Sequence, residues 1–508
     1  MKISKLTLAI ATVLGAGATS GAYAMDLYVD TKTKQIYAEP GPHRQLMGNF
    51  EKVDNAPAKV ATKEEKLDKA EIAKIREDLA LKDNAIKALQ ENAAEATKPD
   101  SINVTMDKKG LRFESRDKNY KFKIGGRIQA DADYIDGGRL QAVTPSTGVP
   151  TGAVANANNG TEFRRARLDF EATVWKDWSF KTEVDFANNA VSLKDLWLRY
   201  GGLSFMDITG GQQKQNFSRE VFESDNDLLF TEYSLMYVLN KQITERAIGL
   251  NFQTKDQKQW SGAVGIFGDT AAASSTANTA SKAGEGWAIS GRFTAAPIEE
   301  KTKVVHLGIS GNYRRPNQND FMQDVAGMTY QYKVNNLSNL SLLNTNMTGI
   351  NSVKMLGLEA NGMYGPYSVG AEYTHQWVDR KGTAALTNVE FDGFYTEAAW
   401  TITGESRKYK NGKFSRLEPA KPFSLKNGGF GAWELATRYS FVDVNSGNYL
   451  GGKASNVTVG LNWHINSNLR FMADYSRTFN LTNPSVKTSA GTDPDNVDNF
   501  TLRAQMAY

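Results

Sequence analysis

The chain has 508 residues, and its 60 lysine and arginine residues against 56 aspartate and glutamate residues give a formal net charge of +4. So small a positive charge gives no indication of nucleic-acid binding, which normally shows as a concentrated basic patch. The sequence contains no cysteine, so disulfides, thiolate metal sites and cysteine nucleophiles are excluded.

The N-terminus has the pattern of a secretory signal peptide. Lys2 and Lys5 precede an apolar stretch from Leu6 to Ala18, and small residues follow up to Ala22-Tyr23-Ala24. A positive segment, an apolar segment too short to span a bilayer and an A-x-A site are typical of exported precursors. We therefore predict that residues 1–24 are removed and that the mature chain is exported.

Membrane-spanning helices are not expected after this segment. The mean hydropathy of −0.47 is low for a helical membrane protein, and no run of about 18 apolar residues follows the N-terminus. A β-barrel stays open as an interpretation, because alternating strands average to a hydrophilic sequence.

Two short regions precede the β-rich part of the chain. Residues 25–57 form an N-terminal segment that is compatible with a short hairpin, and residues 58–98 are dominated by Ala, Lys, Glu, Asp and Leu. In the second region, apolar residues fall at heptad spacing: Ile72, Ile75, Leu79, Ile86, Leu89 and Ala93. This seam predicts a coiled-coil helix, and isoleucine at both Ile72 and Ile75 favours a three-helix over a two-helix coiled coil. A single solvated helix without a partner is the alternative.

Residues 99–508 are rich in alternating patterns. The stretch from 161 to 187 places charged residues at every second position, with apolar residues between them: Arg165, Arg167, Asp169 and Glu171 alternate with Ala166, Leu168, Phe170 and Ala172. A period of two indicates strands with two different faces. Such strands belong either to a soluble sheet over a core or to a membrane barrel with lipid outside and a wet lumen inside.

The connections between the strands favour the membrane barrel. We count sixteen candidate strands, from one near Ile124 to the C-terminal NFTLRAQMAY, which ends on Tyr508. Short turns alternate with long connections, and the long ones are residues 135–160, 213–244, 268–284, 315–352 and 480–498. Long loops on one rim, short turns on the other and an even strand number are typical of bacterial outer-membrane barrels. One connection, residues 405–429, is long on the short-turn rim, as an extended turn or a miscounted strand.

The sequence therefore predicts an all-β transmembrane barrel of about 16 antiparallel strands, preceded by a periplasmic α-helical coiled coil. Catalytic patterns are missing. The four histidines lie in separate segments, and there is no G-x-S-x-G elbow, zinc helix or phosphate-binding loop. We expect no enzymatic activity, no cofactor and no metal site.

Charged residues crowd the predicted inner face. Alternation turns nine cations into the lumen: Arg127, Arg165, Arg167, Lys181, Arg199, Arg292, Arg438, Arg470 and Arg503. Arginine keeps its charge and offers a planar fork to phosphate or carboxylate, so a track of arginines would lower the barrier for anions. The same face carries carboxylates, including Asp131, Asp169, Glu183, Glu359 and Asp474. The charges therefore form either a transport path or a structural lattice of cross-strand pairs.

Several blocks of the sequence resemble one known family. IGGRIQADADYID, FRRARLDFEATVWKDWSFKTEVDFA and GGQQKQNFSRE resemble the start of phosphate-selective porin O and P barrels, and FYTEAAWTITGESRKYKNGKFSRLEP, GAWELATRYS and LNWHINSNLRFMADY resemble their C-terminal half. The resemblance spans residues 100 to 508. It implies a trimeric sixteen-stranded barrel with an infolded third loop that passes anions across the outer membrane. On this comparison Lys214, Ser218 and Arg219 start the infolding loop, and Phe230, Glu232 and Arg246 lie on its return. Folded inside the barrel, this loop is expected to bury five apolar residues against the wall: Phe217, Phe222, Leu228, Leu229 and Phe230.

We therefore expect a homotrimeric porin in the lipid of the bacterial outer membrane, biased toward small anions such as phosphate or small carboxylates. Cell-wall components are candidate partners of the N-terminal helix, and nucleic acid is not. The hypothesised pore-lining residues are Arg127, Arg165, Arg167, Lys181, Arg199, Lys214 and Arg219. The alternative is a structural barrel that anchors an interaction helix in the periplasm.

Overall fold

The computed structural model describes residues 25–32, 36–37, 39–50, 69–95, 102–107, 110–144, 147–241, 243–255, 257, 259–269, 286–316, 328–381 and 386–508. The predicted signal peptide and the start of the predicted helix lie outside these residues. The chain divides into two compact units, Met1–Gln90 and Glu91–Tyr508.

The first unit contains a small sheet and most of a long helix. Its strands are β1 (Met25–Asp30), β2 (Ile36–Tyr37) and β3 (Arg44–Phe50), in the order β2-β1-β3. Helix α1 (Lys69–Glu95) begins inside the predicted helical region, and Ile75, Leu79, Ile86 and Leu89 on its seam are all more than half exposed. Self-association of this helix stays a prediction. None of the helices in the described part of the chain is long and apolar enough to cross a bilayer.

The second unit is built almost entirely of strands. Its first elements are β4 (Ile102–Asp107), β5 (Gly110–Ser115), β6 (Lys121–Asp136), β7 (Arg139–Val143), β8 (Pro150–Asn156), β9 (Gly160–Val174), β10 (Trp178–Asp185), β11 (Ser192–Tyr200), β12 (Met206–Lys214), α2 (Arg219–Phe222) and α3 (Tyr237–Asn240). They are followed by β13 (Arg246–Thr254), β14 (Trp260–Phe267), β15 (Trp287–Glu299), β16 (Lys303–Arg315), β17 (Met328–Tyr332), β18 (Leu343–Met347), β19 (Ile350–Tyr364) and β20 (Tyr367–Arg380). The last elements are β21 (Val389–Thr401), β22 (Tyr409–Lys410), β23 (Lys413–Phe414), β24 (Ala432–Ser446), β25 (Tyr449–His464), β26 (Leu469–Thr482), β27 (Val486–Thr488) and β28 (Asn496–Ala507).

Sixteen of these strands close one antiparallel barrel, which confirms the predicted fold and strand count. They are β6, β9–β16, β19–β21, β24–β26 and β28, each hydrogen-bonded to the next. The barrel closes where β28 pairs with β6, from Asp498 opposite Asp136 to Ala507 opposite Arg127. Beyond this pairing, Tyr508 and Gly126 exchange two backbone hydrogen bonds of 3.1 Å, so the terminal aromatic residue completes the seam.

A hairpin that the sequence analysis did not predict extends the wall below this seam. Strands β4 and β5 pair with each other, and β5 also pairs with Lys121–Ile124 of β6, where β28 has already ended. Gly110 at the start of β5 has a φ of +93°, and a Cβ there would lie 2.6 Å from the carbonyl oxygen of Ile124. Only glycine fits this junction without displacing the strand.

The outer face of the barrel is apolar. Large side chains that point outward on well-separated strands are 46–49% exposed: Ile128, Leu196, Leu250, Ile309 and Leu502. Between them the inward positions are polar and buried, as for Gln129 and Asp131 on β6. Leaving such an apolar belt in water would cost about 25 cal/mol for each Å², so the outer surface fits lipid and not bulk solvent.

Two connections enter the barrel from opposite rims. The loop between β12 and β13 enters from the rim of the long loops, which faces the cell exterior in outer-membrane barrels. The connection between β21 and β24, residues 402–431, enters from the short-turn rim and contains the β22–β23 hairpin. Arg292 of the wall donates a 2.8 Å hydrogen bond to the carbonyl oxygen of Gly412 in this connection. The long segment near 405–429 is therefore an extended turn, and no strand was miscounted.

Candidate ion-conducting site

The loop between β12 and β13 crosses the lumen and attaches to the far wall. The Ser218 hydroxyl and the Arg219 backbone amide donate to Glu372 on β20, at 2.6 and 2.9 Å. Further along, the amide and hydroxyl of Thr231 donate to Asp474 on β26, at 2.6 and 2.8 Å. Because β20 and β26 are remote from β12 in the barrel order, these contacts hold the loop across the channel, as the family resemblance implied.

Inward-facing glycines on the wall make room for the aromatic residues of the loop. A Cβ at Gly357 on β19 would meet the Phe217 ring at 3.1 Å, and one at Gly460 on β25 would meet Phe230 at 3.2 Å. Phe217, Phe230 and Leu229 are at most 5% exposed, which confirms their predicted burial. The two other apolar residues predicted to be buried are half-buried: Phe222 and Leu228.

Three of the predicted site residues meet one carboxylate of the loop. Asp225 lies 2.9 Å from Arg167 Nη1, 3.1 Å from Arg165 Nε and 3.7 Å from Arg127 Nη1. Burial alone would raise the pKa of Asp225, but Arg165 and its cationic neighbours hold that pKa well below its usual value. The structure thus brings Arg127, Arg165 and Arg167 together, and Asp225 offsets part of their charge.

The remaining wall charges near the loop are also paired. Glu183 accepts from Arg127 and Arg167, both at 3.0 Å, and Lys181 lies 3.5 Å from it. Arg246 donates to Asp195 at 2.7 Å. Farther around the barrel, Arg292 is paired with Glu359 and Arg503 with Asp131. Much of the inward charge therefore forms a cross-strand lattice.

Two predicted site residues stand outside this lattice. Arg199 donates to the Thr209 hydroxyl at 3.1 Å and stacks over the Trp197 ring at 4.3 Å. Lys214 donates to the backbone carbonyl of Glu223 at 2.6 Å. Among the described residues, neither cation has a carboxylate within ion-pair distance.

Arg219 has a different place from the one predicted. It is 4% exposed, and its guanidinium donates to Tyr395 and Glu397 at 2.6 Å and lies 3.4 Å from Glu223. It fastens the loop to β21 and does not project a free charge into the lumen. The sequence pattern could not show this contact, because Tyr395 lies 176 residues away in the chain.

Two further cations reach the lumen through β-bulges. On β9 the register shifts so that Gln129 faces Arg165 and Ala130 faces Phe163, which leaves Arg164 unpaired in the ladder. On β11 a second shift leaves Lys194 unpaired. Strict alternation would point both side chains at lipid, and a bulge re-aims the extra residue. No feature of the sequence pattern marks these bulges, so both residues were absent from the predicted site.

A cavity of about 930 Å³ lies on the external side of the infolded loop. Its walls come from the ends of β9, β11 and β13, from the loop itself and from residues 328–336. Among the described residues, nine basic side chains line it against six acidic ones, and both bulged cations are among the nine. This excess of positive charge at the mouth attracts anions.

The two infolded connections touch each other inside the barrel. Arg407 donates to the carbonyl oxygen of Asp227 at 2.6 Å, and the Arg416 amide donates to the Asp227 carboxylate at 3.1 Å. The Phe414 amide donates to Glu223 at 3.0 Å. The two connections enter from opposite rims, meet inside the barrel and together narrow the channel at that level.

One carboxylate cluster among the described residues has the spacing of a cation site. Oxygen atoms of Asp131, Asp133 and Glu162 lie within 4.8 Å of one another. Both oxygens of Asp131, however, accept from Arg503 at 2.6–2.7 Å, and Asp133 accepts from Thr501 at 2.5 Å. Protein donors thus already occupy most of this cluster.

The sequence matches a family of membrane channels. The family model described as phosphate-selective porin O and P matches residues 122–508. Porin O of Pseudomonas aeruginosa is 25% identical over 436 residues, which cover 80% of this chain and 92% of that protein. An uncharacterized protein of Caulobacter vibrioides is 29% identical over 383 residues, with 74% and 72% covered.

Solved outer-membrane barrels are similar at a lower level. An anion-selective porin from Comamonas acidovorans has a TM-score of 0.46 and 12% identity, covering 77% of this chain and all of that one. The outer membrane channel DcaP of Acinetobacter baumannii has a TM-score of 0.45 and 13% identity, covering 78% and 99%.

Proposed function

This chain belongs to the phosphate-selective porin O and P family of the bacterial outer membrane, and we propose that it passes small anions in preference to cations by passive diffusion. Family membership supports a channel function. The observation that carries the proposal is the external cavity, in which nine basic side chains outnumber six acidic ones among the residues that the structure describes. A cleft with one sign of charge in excess raises the local concentration of oppositely charged solutes.

We assign different roles to paired and unpaired cations along the path. Arg127, Arg165, Arg167 and Lys181 hold carboxylates of the loop and the wall, so their main task is to fix the constriction. Lys214 lies at the base of the loop and makes its hydrogen bond to a carbonyl oxygen only. Arg199 is likewise bonded to a neutral hydroxyl. These two cations are therefore better suited to carry an anion through the narrow part of the channel.

The proposed assembly is a homotrimer supported by α1. The helix exposes Ile75, Leu79, Ile86 and Leu89, each by more than half. Burying each such side chain in a helix–helix contact is worth about 1.5–3 kcal/mol. A parallel three-helix coiled coil would bury them without a further partner, in agreement with isoleucine at both seam positions.

Reversal potentials of the purified full-length protein in planar bilayers test the anion proposal. Under a KCl gradient we expect the sign that corresponds to chloride preference. Replacing chloride by phosphate or succinate then distinguishes a phosphate pore from a pore for small carboxylates. Cation preference would contradict the proposal. A protein that inserts but does not conduct would favour the alternative function, a structural barrel that anchors the helix.

A further inference from the structure

Two tyrosines of the infolded loop line the external cavity and do not pack under the wall. Phe217 and Phe230 occupy the space that glycines of the wall leave, and each is at most 2% exposed. Tyr233 and Tyr237 lie on the return of the same loop, are only half-buried and line the cavity. Their rings are therefore in a position to contact a solute inside it.

The two tyrosine rings form a stacked pair. Their centroids are 4.1 Å apart, and their planes differ by 17°. The backbone between them makes a turn, in which the Tyr237 amide donates to the Ser234 carbonyl oxygen at 3.1 Å, and this turn brings the side chains together. An inorganic anion is recognised through charge and hydrogen bonds, so it makes no use of such an aromatic surface.

The hydroxyl groups of the pair already have partners. Tyr233 donates to Asp225 and Tyr237 donates to Glu245, and arginines of the wall hold Asp225 in turn. A tyrosine hydroxyl has one hydrogen to donate, so neither hydroxyl is left to donate to an anion. These bonds also fix the two rings. The pair therefore offers a solute its ring surface and not a hydrogen-bond donor.

The cavity has the size and the mixed lining of a small-molecule site. Its volume of about 930 Å³ lies within the range of about 300–1,000 Å³ for ligand pockets, which combine apolar and aromatic side chains with a few polar groups. Met328, Tyr332 and Val334 from an external loop add apolar surface to the stacked pair. Arginines of the wall line the same cavity. One solute can therefore place a ring and an anionic group in it together.

We propose that the external cavity selects for anions that carry a planar aromatic ring, such as small aromatic carboxylates, and that Tyr233 and Tyr237 hold the ring. This inference rests on the proposed function and deepens it, because the excess positive charge admits an anion and the tyrosines discriminate among anions. Aromatic rings in offset-stacked or edge-to-face contact attract each other beyond the effect of the buried area. Benzoate and acetate carry the same charged group, but only benzoate has a ring that the tyrosines can contact.

The test compares three monovalent carboxylates as blockers of the chloride current of the full-length protein in planar bilayers. Benzoate, cyclohexanecarboxylate and acetate are added on the external side at fixed KCl. They share the carboxylate and carry an aromatic ring, a saturated ring or no ring. Benzoate should half-block at a concentration roughly two- to tenfold below that of cyclohexanecarboxylate, the factor that corresponds to one aromatic contact. Acetate should be the weakest blocker.

Two substitutions at one position separate the ring from its hydroxyl. Tyr237→Leu removes the ring and should raise the half-blocking concentration of benzoate roughly two- to tenfold, without changing that of acetate. Tyr237→Phe is the matched control, because it removes the bond to Glu245 and keeps the ring. It should be blocked like the wild type. Tyr233→Leu and Tyr233→Phe repeat the comparison if a variant at Tyr237 fails to fold.

The outcomes distinguish this inference from the proposed function. Equal block of an anion-selective wild type by benzoate and cyclohexanecarboxylate would overturn the inference alone, since apolar bulk would then suffice. Unchanged benzoate block in the Tyr237→Leu and Tyr233→Leu channels would also overturn it. A loss of block in Tyr237→Phe as large as in Tyr237→Leu would overturn it too, because the hydroxyl and not the ring would then explain the effect. Cation preference of the wild type would contradict the proposed function and this inference with it.

Discussion

Arg164 and Glu232 form a two-pronged ion pair between the barrel wall and the infolded loop. Nε of Arg164 donates to Oε1 of Glu232 at 2.6 Å, and Nη2 donates to Oε2 at 3.1 Å. Arg503 on β28 approaches the same carboxylate at 3.4 Å. Because β9 and β28 lie on either side of β6, this contact fixes the return of the loop to the closing seam of the barrel.

Removing this ion pair should loosen the loop without unfolding the barrel. In Arg164→Gln, Glu232 keeps only the longer contact to Arg503, at a cost of about 1–3 kcal/mol for a lost charge-assisted contact. We expect larger open-channel current fluctuations in planar bilayers and an unchanged heat-modified mobility on gels. Arg164→Gln, Glu232→Gln and the double variant together form a double-mutant cycle with the wild type. Additive effects of the two substitutions would show that the residues do not act as a pair.

The same contact should depend on pH in the acid range. Burial alone would raise the pKa of Glu232, but Arg164 and Arg503 lower it from 4.5 to about 2. A carboxylate with a lowered pKa stabilises the folded contact fully above its unfolded pKa, and this stabilisation is lost as the pH falls through the folded pKa. Current fluctuations should therefore rise between about pH 4.5 and pH 2. A Glu232→Gln channel with the same pH profile would exclude Glu232 as the cause.

Lys214 and Arg219 should respond differently to neutralisation. Lys214→Gln removes a cation without an ion pair, so we expect lower anion preference from a barrel that still folds. Arg219→Gln leaves Glu223, Glu372 and Glu397 without their shared cation. Breaking a buried ionic network costs about 3–5 kcal/mol, so this variant should lose thermal stability. Unchanged reversal potential in a folded Lys214→Gln channel would place the filter at Arg165 and Arg167 instead.

Deleting residues 58–96 should weaken the proposed trimer and leave each barrel able to fold and conduct. The deletion removes the exposed seam of α1, whose burial is expected to hold three copies together. Light scattering in detergent measures the oligomer, and bilayer recording measures the channel. Leu79→Asp is a milder variant and should weaken the trimer in the same direction. If the deletion leaves the trimer as stable as before, and the isolated helix stays monomeric, α1 binds another partner.

The sequence alone determined the sixteen strands of the closed barrel and, away from the bulges, which face each side chain takes. A period of two is a local property, so Leu168 and Phe170 could be assigned to lipid and Arg165 and Arg167 to the lumen without any knowledge of their neighbours. The lengths of the connections then distinguished the rim of long loops from the rim of short turns. Burial of Phe217 and Phe230 also followed, because a long apolar loop needs a surface to cover it.

The tertiary structure decided where individual charges act. One inserted residue reverses the facing of a side chain, and the bulges that turn Arg164 and Lys194 inward arise from pairing with β6 and β10, not from their own sequence. The role of Arg219 depends on carboxylates about 150 to 180 residues away, as its separations of 153 from Glu372 and 178 from Glu397 show. Alternation counts charges on a face, but whether a charge is neutralised depends on which residue the closed barrel and its infolded loop bring within ion-pair distance.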